Sequence, residues 1–169
     1  MQAKLFRVVT LVFLCGWLSA CQVDFQFDVD RRQVDGPVFA ISYGAELSDE
    51  AQDGRLLLLL ATHDEDEPRF LVNNSADTQL IFGRGVEDWQ SGSELVIDAS
   101  TIGFPLLDLS TVPAGTYYAQ ALLNRYQDYH LANGKVVSLA PDRGEGQRWN
   151  RKPGNFYSKP VQIEIDESG

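Results

Sequence analysis

The sequence predicts an all-β chain: an antiparallel sandwich of about seven or eight strands over residues 37–166. Three observations lead there. Short apolar runs recur at near-regular spacing, punctuated by Gly, Pro, Asn and Asp. Residues 115–126 alternate with period two, which places Tyr117, Ala119, Ala121 and Leu123 on one face and Tyr118, Gln120, Leu122 and Asn124 on the other. No strand–helix–strand rhythm and no internal repeat occurs, which argues against parallel α/β folds and nucleotide binding.

The first element precedes the sandwich. Lys4 and Arg7 are followed by an apolar stretch, Val8 to Leu18, and by Leu18-Ser19-Ala20-Cys21. A basic start, a short apolar run and small residues at its end have the layout of a secretory signal. The apolar run is short of the roughly 20 residues a membrane span requires. Its end resembles a bacterial lipobox, which implies cleavage after Ala20 and fatty acylation of Cys21; a cleaved signal without lipid is the rival reading. Gln22, rather than Asp, follows Cys21, and in enteric-type sorting this implies the outer membrane, facing the periplasm. More than one acyl chain gives stable anchoring, at about 0.8 kcal/mol per buried methylene. Residues 1–20 are therefore expected as a lipoprotein signal peptide and 21–36 as a lipidated tether. Within the tether Val23, Phe25, Phe27 and Val29 alternate with polar residues, so an edge strand is the alternative there.

From Gly36 the strands follow in turn. Val38 to Tyr43 is short. Asp53-Gly54 reads as a turn, and Leu56 to Thr62 as a central strand buried on both faces; Leu and Ala also suit a helix, but Gly54 interrupts one. Phe70–Asn73, Gln79–Gly83 and Glu94–Asp98 read as short strands. After 115–126, Asn133-Gly134 reads as a type I′ hairpin turn joining 126–131 to 135–139. A long loop, 140–156, leads to a last strand at 157–166, with Val161, Ile163 and Ile165 on one face.

Val112-Pro113-Ala114-Gly115-Thr116-Tyr117 looks like the tyrosine corner of immunoglobulin-like domains, which would have Tyr117 hydrogen-bond to the chain just upstream. Three segments carry a wider likeness: Glu67-Pro68-Arg69-Phe70; residues 96–105 with 112–121; and Glu145-Gly146-Gln147-Arg148-Trp149-Asn150 with Pro153-Gly154-Asn155-Phe156-Tyr157-Ser158-Lys159-Pro160. They resemble the immunoglobulin-like N-terminal domain of bacterial esterases of the α/β-hydrolase type, over roughly residues 37–166. In that family a hydrolase domain follows. This sequence has no Gly-x-Ser-x-Gly elbow, so the resemblance implies a stand-alone copy of the fold, with no catalytic residue to carry over.

Charge and cysteine content limit the chemistry. The net charge is −10, and it becomes −12 once Lys4 and Arg7 leave with the signal. Such a surface repels nucleic acid and anionic headgroups. Cys15 also leaves, so Cys21 is the only mature cysteine and no intramolecular disulfide is expected. His63 and His130 have no thiol or elbow serine to activate. The acidic loop His63-Asp64-Glu65-Asp66-Glu67 lacks the alternate-ligand spacing of an EF-hand. No metal, cofactor or catalytic site is expected. The best site is the 142–157 loop, which gathers Arg, Trp, Asn and Tyr in an otherwise acidic chain. Arg148, Trp149, Asn150, Asn155, Phe156 and Tyr157 are its candidate binding residues, for an envelope protein or, alternatively, a glycan stacked on the rings. The competing reading makes Trp149 a core plug.

Overall fold

The computed structural model describes residues 26–29 (backbone only), 36–75, 77–144, 146 and 148–167. The expected signal peptide, Cys21 and residues 22–25 and 30–35 of the expected tether lie outside these residues.

The fold is an antiparallel β-sandwich. The smaller sheet runs β1 (Gln26–Val29), β2 (Phe39–Ser42), β5 (Leu95–Ile97). The larger runs β10 (Phe156–Tyr157), β7 (Gly115–Arg125), β3 (Gln52–Ala61), β4 (Leu80–Trp89), β6 (Gly103–Phe104), and β11 (Val161–Ile165) also pairs with β7. The chain crosses from β2 to β3, returns from β4 to pair β5 with β2, and crosses again to pair β7 with β3. This is a Greek-key route between the two sheets of an antiparallel sandwich. β8 (Gln127–His130) and β9 (Val136–Leu139) form an exposed arm beyond β7.

β3 explains the apolar run. It sits between β4 and β7, and Leu56 to Ala61 are all buried. Leu56, Leu58 and Leu60 face the smaller sheet and join Phe39, Ile41, Phe82, Ile97, Ala121 and Leu123 in the main core. Leu57 and Leu59 face the other way and form a second cluster with Leu122, covered by Val72, Ile81 and Trp149. Burial on both faces is thus achieved without an α/β fold: a helical turn and a loop cover the outer face.

Several local expectations are corrected. Phe70–Asn73 is not a strand; Pro68–Leu71 is one helical turn, α1, with proline at its start, where a missing N–H costs nothing. Asp53-Gly54 is not a turn but lies inside β3, beside a register irregularity. A side chain at Gly54 would collide with the Asn124 carbonyl on β7, so glycine permits the close approach. The arm's turn is not type I′: only Gly134 has positive φ, Gly134 N–H bonds Leu131 O at 2.9 Å, and Leu131 N–H bonds Lys135 O at 2.8 Å. That is a longer loop closed by a left-handed glycine. The last strand is split at Ser158–Pro160, where Ser158 Oγ accepts the Ala121 N–H and Pro160 has no N–H to give. Gln26–Val29 pairs with β2, so part of the expected tether is an edge strand of the smaller sheet. The split of the last strand, the edge strand β1 and the short β6 bring the count among the described residues to eleven strands.

Tyr117 is buried, and its hydroxyl donates to Pro113 O at 2.9 Å, closing the corner ahead of β7. Burial raises its pKa above the ordinary value, and burial raises that of Tyr43 too, against a lowering from Arg125. A raised folded-state pKa means the folded chain holds the proton more tightly than the unfolded one. That contribution is complete below about pH 10 and is lost as the pH climbs through the raised value. Tyr117→Phe should cost about 0.5–1.5 kcal/mol plus any penalty for the orphaned carbonyl, and should blunt the alkaline loss of stability. Tyr118→Phe, on the other face, should cost less. Urea melts from neutral to strongly alkaline pH would test this; equal losses for both variants would contradict a corner role.

Candidate functional site

The 142–157 loop divides into two kinds of residue. Four of the six candidates hold structure. Trp149 is half-buried against Leu57, Leu59 and Leu122. Asn155 is buried, accepts the Arg125 N–H at 3.0 Å and donates to Trp149 O at 2.9 Å and Asn124 Oδ1 at 3.3 Å. Phe156 joins the main core beside Tyr43. Asn150 ties the loop to α1: its Nδ2 donates to Arg69 O, and its carbonyl accepts from Arg69 Nη1. Arg148 is exposed and is not among the residues that line the groove along β10. Tyr157, 39% exposed, is the member that faces open space.

What the loop builds with α1 is a groove of about 540 Å³ along β10. It is lined by Arg69 and Phe70 from α1, by Arg125 at the end of β7, by Arg151 of the loop and by Phe156 and Tyr157 of β10. The rings hold the guanidiniums. Arg69 lies 3.7 Å from the Tyr157 ring centre and 4.4 Å from that of Phe70; Arg151 is also 4.4 Å from Phe70, and Arg125 is 4.5 Å from Phe156. Such stacking fixes a guanidinium by its face and leaves its N–H edges for a ligand.

Arg69 is pinned further. Its Nε donates to Glu67 Oε2 at 2.8 Å and its Nη2 to Glu67 Oε1 at 3.3 Å. Beneath it lies Gln120, fully buried, whose Nε2 donates to Glu67 Oε2 at 2.7 Å and Ser158 O at 2.8 Å, while its Oε1 accepts the Arg69 N–H at 3.0 Å. Lys152 is also structural: it is buried, and its ammonium donates to Arg125 O at 2.9 Å. Arg125 and Arg151, by contrast, have no carboxylate partner among the described residues.

Sequence reasoning missed Arg69, Phe70 and Arg125 as site residues. Arg69 and Phe70 lie about eighty positions before the loop, and only the fold of α1 across β3 and β7 brings them over. A signal was present: proline after Glu67 ends the acidic run and starts a turn, which would have argued against a strand there. Among the described residues no three His, Cys, Asp or Glu side chains are grouped to hold a metal ion, and no helix is long and apolar enough to cross a membrane. The chain matches no family model, no curated protein and no solved structure.

Trp149→Ala should lower stability by about 2–3 kcal/mol, less than the roughly 3–5 of a fully buried aromatic because part of the indole stays in water. Denaturant melts would decide it. A loss within about 1 kcal/mol, typical of surface sites, would make Trp149 a platform instead of a plug.

Proposed function

We propose that this protein is a lipid-anchored, non-enzymatic interaction module of the bacterial cell envelope, held to the outer membrane through Cys21, that docks a protein partner in the groove along β10. The observation that carries the reading is how the rings are used. A glycan platform needs exposed ring faces in a row, yet Trp149 packs on the second core, Phe156 is buried, Phe70 carries two guanidiniums and Tyr157 one. Polar N–H edges are what the groove offers, on a rigid sandwich whose loops are free to bind. The likeness of residues 37–166 to the sandwich that precedes bacterial esterases fits an accessory role.

A photoreactive phenylalanine analogue in place of Tyr157 tests the docking face in whole cells. A discrete protein adduct there, and none from the same group at Lys135 on the arm, is expected. An adduct from neither position, or a stronger one from Lys135, would refute the groove as the docking face.

The anchor makes its own prediction. Cys21→Ser should shift the protein from the membrane fraction to the soluble periplasm or leave the precursor uncut, because no diacylglycerol can be attached. Fractionation and blotting would show it. Maturation with unchanged membrane association would exclude lipid on Cys21.

A further inference from the structure

We infer that the groove selects carboxylates, taking up an extended acidic peptide segment alongside β10 with Arg125 and Arg151 as the receiving groups; this deepens the protein-docking reading and rests on it. The first argument is charge accounting. The chain has 24 acidic and 14 basic residues, so carboxylates to pair with are plentiful. Arg69 has one, Glu67, in a two-point contact. Arg125 and Arg151, which line the same groove, have none among the described residues, and each is held over a ring in place of an ion pair. Arg125 gives one guanidinium N–H to Gly154 O at 3.3 Å; the N–H groups left over on the two planar guanidiniums suit a carboxylate in fork geometry, and such charge-assisted bonds are about twice as strong as neutral ones. The acidity of the whole protein does not cancel this. Charges more than about 8 Å away are screened at physiological ionic strength, so the two guanidiniums set the sign of the field inside the groove.

The second argument distinguishes a peptide from an acidic sugar. β10 is an edge strand. Ser158 N–H bonds Ala121 O at 2.9 Å, so alternation along the antiparallel ladder turns the N–H and C=O of Tyr157 away from β7, toward the open edge. Among the described residues neither group has a partner. An extended peptide can pair with both while its side chains reach the guanidiniums, which is strand addition at a short edge. A uronic-acid chain has carboxylates but would leave that main-chain pair unmatched and finds no free ring row.

The test is fluorescence polarisation with the detergent-solubilised full chain and three probes: a labelled peptide alternating glutamate and valine, its glutamine–valine counterpart, and labelled oligogalacturonate. The glutamate peptide should bind best. Arg151→Gln and Arg125→Gln should each weaken it about tenfold or more, the scale of losing a hydrogen bond to a charged group. Arg148→Gln, exposed and off the groove, should change nothing. Arg151 is exposed, so its variant reads binding even if Arg125→Gln perturbs the packing over Phe156. If the glutamine peptide binds equally well and Phe70→Ala abolishes both, carboxylate selection is overturned and the docking groove stands. Binding of oligogalacturonate alone, lost in Arg151→Gln, overturns this inference and the protein-docking reading together. Failure of all three probes at low salt overturns carboxylate recognition, while the cross-linking outcome decides the docking reading separately.

Discussion

Replacing Leu58 by alanine should destabilise the protein by about 2–5 kcal/mol, the range for deleting a buried leucine side chain where the site relaxes only in part. Leu58 is fully buried and sits mid-strand in β3, opposite Phe82 on one side and Ala121 on the other. Its neighbours across the sandwich include Phe39, Ile41 and Ile97 from the smaller sheet. A sheet-to-sheet gap is set by all of these together, so a void at Leu58 has little freedom to collapse. Small domains are stable by about 5–15 kcal/mol in total, so this change takes a large share. Leu57→Ala is the matched control. It faces the smaller outer cluster under Trp149 and Val72, where a loop and one helical turn can settle inward, and it should cost less. Urea melts of the two variants compare them. Equal losses would mean that the outer cover is as rigid as the sandwich itself.

The same strand shows why much of the fold was legible. Five leucines in a row, bounded by charge, have no polar face to present to water, so a central position follows from composition alone. Tyr117 was legible because the corner is local: a donor and an acceptor four residues apart, positioned by Pro113 and Gly115. Errors came where a residue's role is set by a distant partner. Gly54 looks like a turn glycine, and only the approach of Asn124 from β7 explains it as a strand glycine. Asn155 and Phe156 look like ligand groups, and they prove to be a tie and a core ring once β7 lies beside them. The groove is the extreme case. Arg69, Arg125 and Arg151 are far apart in sequence, none has a periodic pattern to betray it, and three-dimensional adjacency alone makes them a site.

Gln120 is where that site depends on the fold most directly. It is a fully buried amide on the outer face of β7, and it satisfies three groups at once: the Arg69 N–H, a Glu67 carboxylate oxygen and the Ser158 carbonyl. Gln120→Leu keeps the volume and removes all three bonds. An orphaned buried polar group costs about 1–3 kcal/mol, and Glu67 can recover some loss from water, so a total of roughly 3–5 kcal/mol is expected. Gln120→Glu separates packing from hydrogen bonding. It is nearly isosteric, but at neutral pH it sets a second carboxylate against Glu67 and against the Ser158 carbonyl, where Nε2 used to donate. Burial and the neighbouring negative charge both push such a carboxyl's pKa up, so the folded variant binds a proton more tightly than the unfolded one. Its deficit relative to the wild-type chain should therefore be smallest below about pH 4, near the unfolded carboxyl value, and should grow as the pH rises. Gln120→Leu should show no such trend. Because Gln120 anchors α1, both variants should also displace Arg69 and Phe70 and weaken glutamate-peptide binding in whatever fraction stays folded. A Gln120→Leu chain that melts like wild type, or a Gln120→Glu deficit that is flat with pH, would show that α1 is held by Phe70 and Val72 packing and that the buried amide is incidental to the groove.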